Sequence, residues 1–225
     1  RGISQGSWMM IASAPEPSTA LIEDPHLGVA GPLFVRGGIP VVDIDGRDYE
    51  VRHRVTLCRC GHSRNKPFCD GSHDEVAFDY ELVADRRPGS TRREVYRGVG
   101  VVMTDDTSLC MSAGFCGTRF TKVWQMIDHT ADPEVLARLM RMVSNCPSGR
   151  LEYALEDGEP VEPDYTPSIA TIVDGPLWVR GGIPIEAPDG FVYEVRNRVT
   201  LCRCGRSANM PFCDNTHEKL GFRAP

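Results

Sequence analysis

The stretch Cys58-Arg-Cys-Gly-His-Ser-Arg-Asn-Lys-Pro-Phe-Cys-Asp-Gly-Ser-His73 occurs a second time as Cys202-Arg-Cys-Gly-Arg-Ser-Ala-Asn-Met-Pro-Phe-Cys-Asp-Asn-Thr-His217. Both copies place three cysteines and one histidine in the same spacing, C-x-C-x8-C-x3-H. The similarity extends outward, because residues 31–78 align with residues 175–222 at a constant offset of 144 without a gap, and 31 of these 48 positions are identical. The chain therefore contains a duplicated module.

The nine cysteines fall into three groups of three, which are Cys58, Cys60 and Cys69, then Cys110, Cys116 and Cys146, then Cys202, Cys204 and Cys213. An odd count does not suit a disulfide framework, and a chain of this length can bury a core without disulfide bonds. The grouping instead indicates metal or cluster ligation in a reducing compartment.

The composition restricts the classes of partner. The chain has 225 residues with 31 acidic and 25 basic side chains, which gives a formal net charge of −6. A negative protein is a poor partner for nucleic acid or for anionic lipid. The sequence contains neither an apolar run of the ~18–20 residues that a membrane span needs nor a secretory signal pattern. We therefore expect a soluble, cytoplasmic protein with no membrane and no nucleic-acid partner.

These features divide the chain into five predicted parts. They are a loose tail over 1–27 whose first seven residues resemble a tag remnant, the first module over 28–78, an insert over 79–156 that repeats neither module, a proline-rich and acidic linker over 157–170, and the second module over 171–225.

The modules carry the signals of β structure. Asp45-Gly46 and Asp189-Gly190 are typical of hairpin turns, and the partial alternation over Tyr49–Leu57 is typical of a half-buried strand. A module of about 50 residues does not easily bury a self-sufficient core. We therefore predict an α+β, β-rich fold in which the two small β modules form an intramolecular pseudo-dimer, with a ferredoxin-like α+β insert docked beside it, in a monomeric chain.

Three thiolates and one imidazole can hold zinc or an iron–sulfur cluster. Zinc sites usually separate paired ligands by two to four residues, whereas one residue separates Cys58 from Cys60. This spacing favours two thiolates on one iron of a binuclear centre. Cys69 and His73 are four residues apart, so one helical turn would bring them to one face, where they can share the second iron. Zinc, or reduced thiols without metal, is the alternative.

The repeated stretch resembles the CDGSH iron–sulfur domain family, the mitoNEET-like proteins, whose motif is Cys-x-Cys-x2-Ser/Thr-x3-Pro-x-Cys-Asp-Gly-Ser/Ala/Thr-His. The first copy agrees with this motif at every position, including Ser63, Pro67, Asp70 and Gly71. In the second copy Asn215 replaces the motif glycine. Asparagine tolerates a positive φ, so we expect the turn to survive.

The resemblance implies two [2Fe-2S] clusters, each held by three cysteines and one histidine. The implied metal ligands are Cys58, Cys60, Cys69 and His73 in the first module and Cys202, Cys204, Cys213 and His217 in the second. A neutral imidazole in place of a thiolate should raise the redox potential, and its capacity to take a proton predicts that potential and cluster lifetime depend on pH. Arg59 and Arg203, each between two ligands, either offset the negative charge of the site or are solvated.

The middle group follows a different pattern, Cys110-x2-Ala113-x2-Cys116, then Cys146-Pro147. A Cys-Pro pair is the usual last ligand of bacterial ferredoxins. The pattern resembles the divergent single-cluster ferredoxin domain that some bacterial CDGSH proteins carry as a fusion. With one ligand replaced by Ala113, the resemblance implies a possible [3Fe-4S] cluster, or a [4Fe-4S] cluster with a fourth ligand from outside the protein. Three buried thiols without metal are the alternative.

Local patterns place these cysteines on an α+β unit. Arg93–Met103 is predicted to be a strand, and Asp132 followed by Pro133 is typical of a helix start. The predicted helix ends at Asn145, which places Cys146 just beyond its C-terminus.

The sequence therefore predicts an iron–sulfur protein that transfers electrons, or transfers clusters or senses redox state, for a redox or cluster-accepting protein partner. We find no catalytic residues and expect that the chain is not an enzyme. The alternatives are a structural zinc-binding interaction module and, less favoured, an iron–sulfur enzyme.

Overall fold

The computed structural model describes residues 17–24, 29–50, 53–78, 80–156 and 158–225. The predicted tag remnant lies outside these ranges. Within them, no helix is long and apolar enough to cross a membrane. The strands are β1 (Ser18–Asp24), β2 (Val29–Arg36), β3 (Val41–Val42), β4 (Arg54–Leu57), β5 (Glu94–Gly98), β6 (Val101–Asp105), β7 (Leu151–Leu155), β8 (Pro160–Val161), β9 (Ser168–Thr171), β10 (Leu177–Arg180), β11 (Ile185–Glu186) and β12 (Arg198–Leu201). The helices are α1 (Ser72–Glu75), α2 (Val123–Met126), α3 (Pro133–Ser144) and α4 (Thr216–Lys219), with 3-10 turns at Gly89–Thr91, Thr107–Leu109 and Ile127–His129.

The two modules form two equivalent four-stranded sheets that exchange strands. One sheet has the order β11-β1-β2-β4 and the other the order β3-β9-β10-β12. In each sheet the first strand of one module runs parallel to a two-residue strand of the other, so β1 pairs with β11 and β9 pairs with β3. The backbone contacts repeat this symmetry, because Thr19 N–H donates to Pro184 O at 3.0 Å and Ile169 N–H donates to Pro40 O at 2.9 Å. The predicted intramolecular pseudo-dimer is therefore confirmed.

One hydrophobic core serves both sheets. Leu33, Val35 and Leu57 of the first module and Leu177 and Val179 of the second are each no more than 1% exposed and belong to one contiguous cluster. A module alone could not bury these side chains, since the cluster is built from both copies.

The prediction of a loose tail is wrong for Ser18–Asp24, which form β1. Thr19 and Leu21 are buried and join the two modules. The linker prediction is also wrong in part, because residues 157–170 contain β8 and the first residues of β9. Strands β8 and β9 lie outside the repeated stretch, so the duplication gave no signal for them. The prolines of residues 157–170 suggested an extended linker instead.

The hairpin turns are confirmed by isolated antiparallel bridges, Val42 to Asp48 in the first module and Glu186 to Val192 in the second. The predicted strand over Tyr49–Leu57 is shorter than expected, because its described strand is Arg54–Leu57; residues 51 and 52 lie outside the described ranges.

The insert is an antiparallel sheet, β5-β6-β7-β8, covered by α2 and α3. The single predicted strand over Arg93–Met103 is wrong in its extent, since Gly100, with a φ of 72°, turns the chain back and makes a β5–β6 hairpin. Helix α3 begins as predicted, with the Asp132 carboxylate accepting from Glu134 N–H at 2.8 Å. It ends before Asn145, and Leu139 and Val143 are fully buried in the core of the insert.

The insert is docked on the second module through buried ion pairs. Arg93 pairs with both Glu152 and Glu194, and Arg196 reaches Glu152 at 2.8 Å. Arg198, 1% exposed, donates to the backbone carbonyls of Ser144 and Leu151 and pairs with Glu162. The contact is therefore built from charged groups of strand β12 and its approach, whose partners all lie in the insert or its exit.

Candidate metal centres

Strand β4 delivers the first cysteine pair of module 1. Cys58 follows Leu57 directly, and its N–H donates to Pro67 O at 2.8 Å, while Cys69 N–H returns a bond to Thr56 O at 2.9 Å. The loop between Cys60 and Cys69 is therefore folded back onto the end of the strand. Ser63 fixes the return, because its hydroxyl donates to Phe68 O at 2.6 Å. Module 2 repeats these bonds at Cys202, Cys213 and Ser207.

The ligand-type side chains come together as two pairs in each module. Cys58 Sγ lies 3.7 Å from Cys60 Sγ, and Cys202 Sγ lies 3.7 Å from Cys204 Sγ. Two tetrahedral corners at a metal–sulfur bond of ~2.3 Å are about 3.8 Å apart. The second pair is Cys69 Sγ to His73 Nδ1 at 3.3 Å, repeated as Cys213 Sγ to His217 Nδ1 at 3.4 Å. These distances suit two ligands on one metal atom.

The sequence suggested that one helix would bring Cys69 and His73 to the same face, and this expectation is wrong. Helix α1 contains His73 but begins only at Ser72, so Cys69 lies in the loop before it. The Asp70 carboxylate holds this turn by accepting from Arg64 N–H at 2.9 Å and from the Ser72 hydroxyl at 2.7 Å. These hydrogen bonds lower the pKa of Asp70.

The residue before each short helix has a left-handed backbone. Gly71 has a φ of 90°, and its counterpart Asn215 has a φ of 74°. The expectation that asparagine preserves the turn is confirmed. The two caps differ in one respect, because Asn215 Nδ2 donates to Glu218 at 2.9 Å. In module 1 the corresponding acid, Asp74, instead lies 3.0 Å from Nε2 of His73, which leaves Nδ1 facing Cys69.

Each first pair is prepared for metal binding by a shared proton. The hydrogen bond from Cys60 lowers the pKa of Cys58 to about 6, and the same contact raises the pKa of Cys60. In module 2 the pKa of Cys202 falls to about 6 by its bond with Cys204. Burial raises the pKa of Cys213 to about 12. In each first pair the contact thus favours the thiolate at one cysteine and the thiol at the other, and a bound metal would displace the remaining protons.

Arg59 and Arg203 are buried, so the solvated alternative is wrong. They are 3% and 1% exposed, and burial lowers the pKa of each to about 10, which leaves both charged at neutral pH. Arg59 lies 4.4 Å from the ring of Tyr80 and donates to Gly31 O at 3.4 Å. Arg203 donates to the carbonyls of Gly175, Ile172 and Pro225. Cys202 and Cys58 favour the charged form of Arg59, so positive charge lies near the thiols of both modules.

The two ligand loops touch across the pseudo-two-fold axis. A Cβ on Gly61 would lie 2.7 Å from Cys204 O, and a Cβ on Gly205 would lie 2.6 Å from Cys60 O. Sequence analysis did not single out these glycines. The signal was present, because both copies keep glycine directly after the second cysteine.

In the insert, Cys110, Cys116 and Cys146 line one pocket together with Ala113 and Ser148. All three thiols are partly exposed, which disfavours the alternative of three buried structural thiols. Burial raises the pKa of Cys116, while the nearby Arg150 acts in the opposite direction.

Arg150 is the main charged group of this pocket. Asp105 holds its guanidinium in two bonds of 2.6 and 2.8 Å, and the ring of Trp124 lies 5.2 Å from it. Trp124 Nε1 also donates to Asp105 at 3.0 Å. Trp124 therefore belongs to the core of the insert and also orients the arginine.

The donor sets fit iron–sulfur centres. Among the described residues, no three His, Cys, Asp or Glu side chains converge as one mononuclear ion would need. Each module offers one thiol–thiol pair and one thiol–imidazole pair, and thiolate and imidazole are ligands that iron–sulfur centres use. The repeated pairs, together with a separate pocket of three thiols, define an iron–sulfur class of protein.

The comparisons with known families agree with this class. Residues 30–74 and residues 174–218 each match the family described as iron-binding zinc finger, CDGSH type, and residues 96–156 match the family described as divergent 4Fe-4S mono-cluster. No curated protein matches the chain in a sequence search. The two modules belong to the CDGSH family, and the chain is an iron–sulfur protein in which a divergent mono-cluster domain separates tandem CDGSH domains.

Proposed function

We propose that the chain binds two [2Fe-2S] clusters, one in each module, and serves as an electron or cluster carrier for a partner protein. The proposal is carried by the arrangement of ligand-type side chains, because each module contains one thiol–thiol pair and one thiol–imidazole pair. The sulfur–sulfur distances are 3.7 Å, and the sulfur–nitrogen distances are 3.3 and 3.4 Å. The ligands would be Cys58, Cys60, Cys69 and His73, and Cys202, Cys204, Cys213 and His217. When bound, such clusters supply one-electron redox chemistry and can themselves be transferred.

The protein's own groups would set the properties of these sites. The neutral imidazole of His73 removes one negative charge relative to a fourth cysteine, which favours the reduced state. Arg59 and Arg203 add buried positive charge near the thiolates, which acts in the same direction. The Asp74 carboxylate accepts from Nε2 of His73 and so keeps Nδ1 toward Cys69.

For the insert we propose a cluster held by Cys110, Cys116 and Cys146. Their shared pocket and partial exposure support this ligand set. Ala113 lines the same pocket at the position where a fourth cysteine would be expected. A [3Fe-4S] cluster needs three protein ligands only, so we favour it over a [4Fe-4S] cluster completed from outside the chain.

The carrier role implies a redox protein or a cluster acceptor as partner, and no small-molecule substrate. We also propose that one chain is the working unit. The exchange of β3 and β11 between the two sheets supports this, because it provides within one chain the strand pairing that two separate chains would otherwise provide.

The test is the content of iron, sulfide and zinc per chain after anaerobic purification, with the visible spectrum of the same sample. Two [2Fe-2S] sites predict about four irons and four sulfides, and a [3Fe-4S] cluster in the insert raises these to about seven and eight. A colourless protein with stoichiometric zinc would contradict the proposal and favour a structural zinc module.

To separate the two carrier roles, the reduced holoprotein would be mixed in separate samples with an apo-ferredoxin and with an oxidised, cluster-loaded ferredoxin. Transfer of iron and sulfide to the acceptor would identify a cluster donor. Reduction of a cluster-loaded ferredoxin without movement of iron would identify an electron carrier.

A further inference from the structure

The cluster loop of the insert contacts the ligand loop of the second module. Asn209 Nδ2 donates to the backbone carbonyl of Ser108 at 2.6 Å. Ser108 is two residues before Cys110, and Asn209 is four residues before Cys213. A single side-chain hydrogen bond therefore links the segments that carry ligand-type cysteines of two different centres.

The bond continues through the backbone of the second module. Phe212 N–H donates to Asn209 O at 2.9 Å, and Cys213 follows Phe212 directly. The connection from Cys213 to Cys110 thus consists of covalent bonds and two short hydrogen bonds.

Both ends of the connection are held in place. Asn209 N–H donates to the Ser207 hydroxyl at 3.0 Å. On the insert side, the Ser108 hydroxyl donates to Asp106 and accepts from Arg92 at 2.9 Å, and Arg92 pairs with Asp106 at 3.1 Å. Asp106 is 1% exposed. Such a network fixes the Ser108 carbonyl in front of Asn209.

A second contact lies beside the first. Met111 and Ala113 of the insert line a cleft of about 230 Å³ together with Asn215 and His217 of the second module. The same Met111 and Ala113 also line the three-cysteine pocket. These two residues therefore border both the proposed centre of the insert and the cleft that contains the histidine of the second module.

The first module has a matched position that lacks this environment. Asn65 is the counterpart of Asn209 and makes the same backbone contacts, with its N–H donating to Ser63 and its carbonyl accepting from Phe68 N–H. The side chain of Asn65 is exposed, whereas that of Asn209 is half-buried against the insert.

From these contacts we propose that the insert and the second module form an internal electron-transfer pair, with Asn209 as the positioning residue that connects them. With both clusters bound, one electron would leave the centre of the insert, oxidising it, and would arrive at the centre of module 2, reducing it. No bond is made or broken and no proton is transferred. The electron is first supplied to the insert by a low-potential one-electron donor. The neutral imidazole ligand of module 2 raises its redox potential, so module 2 accepts an electron more readily than the all-thiolate centre of the insert.

This inference rests on the proposed function, and the experiment separates the two. Iron, sulfide and the visible spectrum are measured first on every sample, so that an unloaded centre is recorded as a failure of the proposed function alone. The loaded, oxidised chain is then mixed with one equivalent of reduced methyl viologen and frozen at successive times for electron paramagnetic resonance. His73→Cys and His217→Cys variants identify which signal belongs to which module.

For a [3Fe-4S] cluster, whose oxidised state carries the half-integer-spin signal, we expect the signal of the insert to be lost on reduction and to return in a fast phase as the signal of reduced module 2 grows. Asn209→Ala should lose this fast phase and leave the final distribution of electrons unchanged, while the matched Asn65→Ala leaves both unchanged. Asn209→Asp and Asn65→Asp keep the size of the side chain and separate loss of the donor from loss of volume. Equal kinetics in the Asn209 and Asn65 variants, or first arrival of the electron at module 1, would overturn the proposal.

Discussion

Module 1 and module 2 present the same ligand types in the same spacing but in different surroundings. Cys69 is half-buried, whereas its counterpart Cys213 is 3% exposed, and burial lowers the pKa of His217. The insert adds to this difference in surroundings, because it contacts Asn209 and lines a cleft together with His217 of module 2 only. A duplicated sequence therefore specifies two similar sites, while the insert between the copies makes them unequal.

The largest effects should come from removing one ligand in either module. We expect Cys60→Ser or Cys204→Ser to lose one cluster, which lowers the iron content by about two per chain and removes about half of the [2Fe-2S] absorbance. Cys146→Ser is the control and should leave the [2Fe-2S] spectrum unchanged. Iron analysis and visible spectroscopy give the result; complete loss of both clusters from one substitution would show that the sites do not assemble separately.

The buried arginines should differ in their contribution to stability. Arg203→Met leaves three backbone carbonyls without their donor, so we expect it to lower the free energy of unfolding by about 3–5 kcal/mol. Arg59→Met removes one long hydrogen bond and the contact with Tyr80, and should cost roughly 1–3 kcal/mol.

Chemical denaturation of both variants measures which substitution costs more free energy of unfolding. Each substitution also removes a positive charge near the thiols, so the redox potential of the bound clusters should fall. Equal losses of stability would contradict the assignment of the larger role to Arg203.

The paired glycines provide an internal calibration, since symmetry predicts equal effects. A Cβ at Gly61 or Gly205 would meet a backbone carbonyl of the other module at 2.7 or 2.6 Å, and both residues have a positive φ. We expect Gly61→Ala and Gly205→Ala each to cost about 2–4 kcal/mol in the free energy of unfolding. Thermal or denaturant unfolding of the two variants tests this. A large difference between them would mean that the two loops do not approach each other reciprocally.

The cysteine of the second pair is more exposed in module 1 (Cys69) than in module 2 (Cys213), which predicts that the two modules release their clusters at unequal rates. Module 1 should lose its cluster to an iron chelator about tenfold faster than module 2, which corresponds to a barrier lower by about 1.4 kcal/mol. The decay of visible absorbance should then show two phases of similar amplitude. His73→Cys should slow the fast phase alone and His217→Cys the slow phase alone, and a single phase in the unaltered chain would contradict the difference in cover.

Much of this architecture follows from the sequence because duplication makes it visible. The offset of 144 residues identifies both ligand sets, the pseudo-dimer and the hairpins, and the capping of α3 by Asp132 is a local property. Strands β1 and β9 were missed because both lie outside the duplicated stretches 31–78 and 175–222. Each pairs with the next strand of its own module and, on its other side, with a two-residue strand of the other module, and that second pairing leaves no local pattern.

The placement of the insert was also beyond the sequence. Its contact with module 2 depends on Arg93, Arg196 and Arg198, whose partners are more than 30 residues away along the chain. Arg54, the counterpart of Arg198, is exposed in module 1. The same residue type thus supports docking in one copy and is solvated in the other, and only the three-dimensional position of the insert distinguishes the two.

The smallest expected effect concerns the cap that differs between the modules. In module 2 the Asn215 side chain binds Glu218, whereas in module 1 the corresponding Asp74 contacts His73. Asn215→Gly removes this competing donor and keeps the left-handed turn, so the free energy of unfolding should change by no more than about 0.5 kcal/mol.

The more informative measurement on Asn215→Gly is the potential of the module 2 cluster. Glu218, once released, is free to approach His217 as Asp74 approaches His73, and a carboxylate on the imidazole increases its basicity as a ligand and disfavours the added electron. We therefore expect the potential of module 2 to fall toward that of module 1, with Gly71→Asn as the reciprocal variant in the first module. An unchanged potential in Asn215→Gly, with cluster content intact, would mean that the cover of the insert and not the cap makes the two sites unequal.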